Sequence, residues 1–268
     1  MVETAPHPEV VPAPGGLMWR RSWRRRHATA PEAHQELVVL IGITGNASYL
    51  IDGVVHEVRR GTLVWALAGQ QHFLLSESAE FDMWVVLVSR RIVTQDPDMP
   101  PQHISDTGAA LPPRVLTAEA FEALHTIAVA QTDATTIGTK AAGLRLWLAK
   151  AWAQWQIAAT DAGRHIHPAV SRAAQIWRQY PERNLKAVAR DAGLSPGRLG
   201  RLFRAQIGKD VVTYRTEQKI RRFEAIKAQH PRLSLTSAAL DAGFGSYTQF
   251  YRAWRTSYGT HPNDPKFR

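Results

Sequence analysis

The chain has 268 residues, 44% hydrophobic and 21% charged, which suits one large domain or two ordinary ones and excludes wholesale disorder. It contains no cysteine, which excludes disulfides, cysteine-ligated zinc and thiol nucleophiles. The formal charge of +10 is uneven: residues 1–164 carry 14 Lys/Arg against 16 Asp/Glu and residues 165–268 carry 19 against 7, the pattern of a near-neutral body joined to a polyanion-binding module.

Residues 1–16, rich in Pro, Ala and Gly, read as a flexible tail. They lack the basic start and apolar core of a signal peptide, and no stretch of about 18 apolar residues follows anywhere. A soluble, cytoplasmic protein without a membrane partner is expected. Trp19–Arg26 holds five arginines among aromatic residues, suited either to phosphate contact or to a charge-guarded edge strand.

From about 35 to 93 the texture is β. Leu37–Ile41 is a short apolar run. Asp52-Gly53 is a hairpin signal inside Tyr49–Val55, Gly61 begins a turn before Leu63–Leu67, and Met83–Val88 is a further strand. Short strands at this spacing predict an antiparallel barrel or sandwich over 17–116, with 94–116 as a connection. After 117 the period becomes helical. Ala118–Gln131 is a good helix former, and Leu144, Trp147, Leu148, Ala151, Trp152 and Trp155 form one apolar face. Packing on the β domain and a subunit interface both explain that face, so 117–160 reads as a packing or dimerisation segment, with 161–168 as a linker.

The basic part contains a duplication. Leu185–Leu194 aligns with Leu235–Phe244 at an offset of 50, and Leu199, Arg201, Phe203, Arg204 and Gly208 then match Phe250, Arg252, Trp254, Arg255 and Gly259. Each copy gives a short helix with small apolar residues, a glycine to end it (Gly193 or Gly243), and Ser195 or Ser246 to cap a second helix. That is the helix-turn-helix unit, over 185–205 and 235–256. The outer face of the second helix carries Arg198, Arg201 and Arg204 in one copy and Tyr247, Thr248, Gln249, Arg252 and Arg255 in the other. Arginine pairs bidentately with guanine and glutamine with adenine, so these faces suit a major groove. Val212–Gln229 reads as a basic helical strut of about 25 Å between the copies, long enough to serve adjacent half-sites and to lie over the phosphates between them.

On these residues the chain resembles the AraC/XylS family of bacterial transcription regulators over about 169–268. The resemblance implies that Ser195–Ala205 and Ser246–Thr256 are recognition helices, with Arg201 and Arg252 as DNA contacts. More loosely, Glu36-Leu37, Gly45, Asp52-Gly53, Gly61 and Gly69–His72 resemble the family's cupin-like sensory domain. The fold class implied is α+β: an N-terminal cupin-like antiparallel β-barrel with a helical pair, then an all-α domain with two helix-turn-helix motifs joined by a linker helix.

The function expected is sequence-specific transcription regulation, as an activator or a repressor, under control of a small effector. Tyr49, Trp65, His72 and Trp84 are its candidate pocket. Expected partners are double-stranded DNA, a second copy of the chain and RNA polymerase. No triad, carboxylate pair or phosphate loop supports an enzyme. His34 and His72 fall short of a metal set, so neither metal nor cofactor is expected.

Overall fold

A computed structural model of the chain describes residues 11–13, 15–22, 36–89 and 111–264. They divide into two units, one ending at His165 and the other beginning at Ile166. The first contains β1 (Val11–Ala13), β2 (Gly16–Ser22), β3 (Leu37–Thr44), β4 (Asn46–Ile51), β5 (Val54–Arg59), β6 (Thr62–Ala66), β7 (His72–Glu77), β8 (Asp82–Val88) and β9 (Arg114–Val115). Helices α1 (Ala118–Asp133) and α2 (Ile137–Ile157) follow, then β10 (Ala159–Thr160) and β11 (Arg164–His165).

As expected, the β part is antiparallel: it forms two sheets, one ordered β1-β2-β8-β3-β6-β9-β10 and the other β11-β5-β4-β7, without closing into a barrel. The larger sheet is apolar on both faces, which is why β3 reads as an unbroken run rather than an alternation. Leu37, Val39, Ile41 and Ile43 face α1 and α2, while Val38 and Leu40 face the smaller sheet. Asp52 and Gly53, both at positive φ, close the β4–β5 hairpin as expected.

Two N-terminal expectations change. Val11–Ala13, assigned to the tail, pair with Gly16–Met18 as an edge strand, the position where Pro12 costs no ladder hydrogen bond. The basic-aromatic strand is internal, between β1 and β8, and its first arginines are paired. Arg20 donates from Nε to Asp82 at 2.7 Å, and Arg21 forks onto Glu77 at 2.7 and 3.2 Å. Arg24, Arg25 and Arg26 lie outside the described residues.

The apolar face of α2 is settled in favour of packing. Leu144, Trp147, Leu148, Ala151 and Trp155 are buried in one cluster with Met18, Trp65 and Trp84 of the larger sheet. Trp147 donates from Nε1 to the Leu124 carbonyl at 3.0 Å, fixing α2 on α1. The face offered as a subunit interface is thus used inside the chain.

The second unit contains α3 (Pro168–Gln179), α4 (Leu185–Asp191), α5 (Pro196–Ile207), α6 (Val211–Gln229), α7 (Leu235–Asp241) and α8 (Tyr247–Tyr258). The sequence reading missed α3, although Pro168 suits a first helical position and Val170, Ala173, Ala174 and Trp177 share a face. Trp177 packs edge-on to Phe203 of α5, which packs edge-on to Tyr214 of α6. In the second motif Phe223 fills the same role, with ring centroids 4.2 Å from Phe250 and 5.5 Å from Trp254.

Arg21 and Glu77 project between the sheets, since Arg21 sits opposite Met83 and Glu77 opposite Ala47, both in the inter-sheet cluster. Both side chains are nearly inaccessible, so removing one takes a buried ion partner from the other. Arg21→Ala is expected to cost about 3–5 kcal/mol in chemical denaturation, and the apolar pair Arg21→Met with Glu77→Leu to recover most of it. A single-variant loss below about 1 kcal/mol would contradict this account of the pair.

Candidate nucleic-acid interface and effector layer

Each helix-turn-helix is built by the same local device. Gly193 and Gly243 adopt φ of +72° and +94°, which side-chain-bearing residues rarely reach. The N–H groups of Gly193 and Leu194 donate to the carbonyls of Arg190 and Ala189, and those of Gly243 and Phe244 to Leu240 and Ala239. These are paired Schellman caps, and they turn the chain out of α4 and α7. Ser195 and Ser246 then cap α5 and α8, accepting from the backbone N–H groups of Arg198 and Gln249 at 3.4 and 3.2 Å. Their hydroxyls serve the helix ends first. Leu199, Phe203, Phe250 and Trp254 anchor the inner faces.

On the outer faces Arg198, Arg201, Arg204, Thr248, Gln249, Arg252 and Arg255 are exposed. Tyr247 is half-buried, packed on Phe250 and stacked on Tyr251. Gln249 accepts from the Gly245 N–H at 3.1 Å, which holds its amide near the helix start. None of the five arginines forms an ion pair among the described residues. Two equivalent helices thus present cationic, hydrogen-bonding faces of the kind that read a major groove.

The strut α6 runs for 19 residues, about 28 Å, and is capped by Asp210. Three of its cations make contacts within the chain. Arg215 donates to the carbonyls of Pro181 and Glu182, Arg222 pairs with the Glu182 carboxylate, and Lys227 donates to the carbonyls of Pro231 and Leu233. These side chains are committed to the chain's own loops.

The four candidate effector residues do not share one space. Tyr49 and His72 face the inter-sheet layer, where the Tyr49 hydroxyl lies 3.6 Å from the Met83 sulfur. Trp65 and Trp84 lie on the opposite face under the helices, with Trp84 donating to His125 Nδ1 at 3.0 Å. Burial of both faces of β6 and β8 hid that division from the sequence. Instead, Arg21, Glu77 and His56 are the polar groups that join Tyr49 and His72 on the inner faces. Among the described residues no group of three or more His, Asp or Glu is placed to hold a metal ion. His34 lies outside them.

His56 is covered by the start of the linker. β11 pairs with β5, and a Cβ added at Gly163 would lie 2.3 Å from the imidazole, so only glycine passes there. The Asp161 N–H donates to the Pro113 carbonyl at 2.8 Å, and β10 adds to β9. The segment read as the linker, 161–168, is therefore tied down at its start, through Asp161 to the Pro113 carbonyl and through β11 to β5.

Comparison with known families agrees with this division into two parts. The model of the AraC-like ligand binding domain matches residues 17–146, and a helix-turn-helix domain model matches residues 188–265. The chain belongs to the AraC/XylS family. It is a DNA-binding regulator with a ligand-binding N-terminal domain. Similar solved structures include the C-terminal domain of AraT, a response regulator from Geobacillus stearothermophilus, at 22% identity over 37% of this chain and 83% of that one, with a TM-score of 0.34. ToxT from Vibrio cholerae O395 aligns at 10% identity over 94% of this chain and 96% of its own, with a TM-score of 0.42. The AraC-like transcriptional activator CuxR aligns at 12% identity over 77% of this chain and 73% of its own, with a TM-score of 0.34. No curated protein sequence matches.

Burial holds His56 below the ordinary imidazole range, against the pull of Asp161 and with the help of His165. His125 is lowered in the same way, by burial first, with Glu122 opposing. The folded chain therefore binds fewer protons than the unfolded chain below about pH 6.5, so stability is full above that pH and falls beneath it. Asp191 and Asp210 are also shifted down, through hydrogen bonds from Arg183 and Thr213, but they act only near and below about pH 4. Thermal melts of the full chain should fall in midpoint between pH 7 and 5, and His56→Gln should flatten that fall. An unchanged pH dependence in the variant would remove His56 from the account.

Proposed function

We propose that the chain is a sequence-specific, effector-responsive transcription regulator in which α5 and α8 read adjacent major-groove segments of one operator. The observation that carries this reading is the duplicated unit, two Schellman-capped helix pairs each displaying, at equivalent positions, exposed arginines that form no ion pair among the described residues. Arg201 and Arg252 are the equivalent reading pair, Arg198, Arg204 and Arg255 supply further base or phosphate contacts, and Thr248 and Gln249 add contacts at the start of α8.

The effector belongs between the sheets. That layer is lined by apolar side chains with the Arg21–Glu77 pair, Tyr49, His56 and His72 among its polar groups, which suits a mostly apolar molecule with one polar end. A ligand reaching His56 would press on Gly163 and bias β11 on or off β5, shifting a pre-existing equilibrium that is passed to the second unit. If the helical pair also forms a homodimer, the surface is the outer side, where Val129, Ile137, Leu146 and Ile157 are exposed.

Arg252→Ala tests the reading. On a duplex selected from a random library by the parent chain, it should cost about 1–3 kcal/mol and relax preference at one base position. Affinity of the parent should fall steeply with salt, with the slope reduced by about one unit for each lost phosphate contact. Equal affinity of the parent for selected and scrambled duplexes would replace specific reading with nonspecific binding.

A further inference from the structure

Three cations on one face of the strut gather about one neighbouring loop, the loop that carries Glu182. Arg215, Lys219 and Arg222 recur at spacings of four and three along α6, so they project to the same side. Arg215 donates from Nε to the Pro181 carbonyl at 2.9 Å and from Nη2 to the Glu182 carbonyl at 3.0 Å. Arg222 Nη1 lies 3.3 Å from Glu182 Oε2. These contacts seat the α3–α4 loop of the first motif against the helix shared by both.

The same loop reaches the second motif. A Cβ built on Gly243, in the turn between α7 and α8, would lie 3.4 Å from Glu182 Cβ and 3.7 Å from Lys219 Cε. The Lys219 ammonium also sits 5.6 Å from the centre of the Phe244 ring, in the adjoining position of that turn. The first motif therefore touches the turn of the second through Glu182, in addition to their common strut.

We infer that Glu182 is a positioning residue that sets the second recognition helix relative to the first, by drawing the strut's three cations onto its loop and seating that loop on the Gly243 turn. The inference rests on the reading that both α5 and α8 enter DNA. Without the glutamate, Arg215 and Lys219 lose the acid that opposes their burial, Arg222 loses its ion pair, and the turn loses its neighbour. Burial disfavours the charged forms of both Arg215 and Lys219, and Glu182 is the acid that opposes this for each. The pair with Arg222 is exposed, so its contribution is screened by salt. The second helix is thereby set by a contact that is electrostatic and adjustable, unlike the apolar cores within each motif.

The absence of native cysteine makes the geometry directly measurable in the whole chain. Nitroxide labels at Ala205→Cys on α5 and Thr256→Cys on α8 report the distance between the recognition helices by pulsed electron paramagnetic resonance without DNA. A narrow distribution is expected in the labelled parent, a broader and shifted one in Glu182→Ala and in Arg222→Ala, and a retained narrow one in Glu182→Asp. Molar salt should broaden the parent in the same way, an arm that does not depend on any variant folding. An unchanged distribution in Glu182→Ala and in high salt overturns the inference.

The DNA arm uses the duplex selected by the parent chain, with one base pair inserted between the two half-sites, which rotates one against the other by about 34°. The parent should lose about tenfold or more in affinity on insertion, and Glu182→Ala less than about threefold. An equal loss in both chains also overturns the positioning role. If the parent selects no duplex at all, the reading of function fails, while the distance measurement still decides the role of Glu182 in the protein.

Discussion

The two helix-turn-helix units depend on one backbone conformation, the left-handed glycine after α4 and after α7. A helix that ended otherwise would point the next one elsewhere, and the arginines on α5 and α8 would present a different face. Positive φ makes the turn abrupt, and the two cap hydrogen bonds satisfy carbonyls that the ended helix leaves open. The apolar residue that follows, Leu194 or Phe244, then fastens the turn to its motif. Phe244 is buried in the second core beside Phe250, whereas Leu194 is only half-buried in the first.

The positive charge of the second unit serves two different ends. Among the described residues the arginines displayed on α5 and α8 form no ion pair, while Arg215 and Arg222 on the strut are bound to carbonyls and to Glu182. Counting charge along the sequence mixes the two. The excess of 19 basic over 7 acidic residues marked the DNA-binding part, but it did not separate the exposed cations without an ion pair among the described residues from those that hold the scaffold. That separation needs the tertiary partners, since Glu182 lies 33 residues from Arg215 in the chain.

What was legible in the sequence was local. The Asp52-Gly53 hairpin, the two capped helix pairs and the α2 apolar face are encoded within one turn or one helix, and each occurs where its residues indicate. What was missed required long-range pairing or knowledge of two-sided burial. The two-residue strands β9, β10 and β11 carry no pattern of their own and exist through pairings such as Arg164 with Val55. Trp65 and Trp84 were grouped with Tyr49 because a strand buried on both faces gives no alternation to reveal which way a residue points. The Arg21–Glu77 pair joins residues 56 apart on different sheets. Its only trace in the sequence is a charged residue in phase with inward apolar ones.

The linker between the ligand-binding and DNA-binding parts is less a tether than a measured length. Ala159 and Thr160 complete one sheet, Arg164 and His165 complete the other, and three residues span the gap with a glycine placed against His56. Because successive residues of a strand face opposite sides, a chain one residue longer or shorter there would keep one pairing only by giving up the other. The segment that joins the two parts is thus counted residue by residue, and its length is as much a specification of the protein as any side chain in the core.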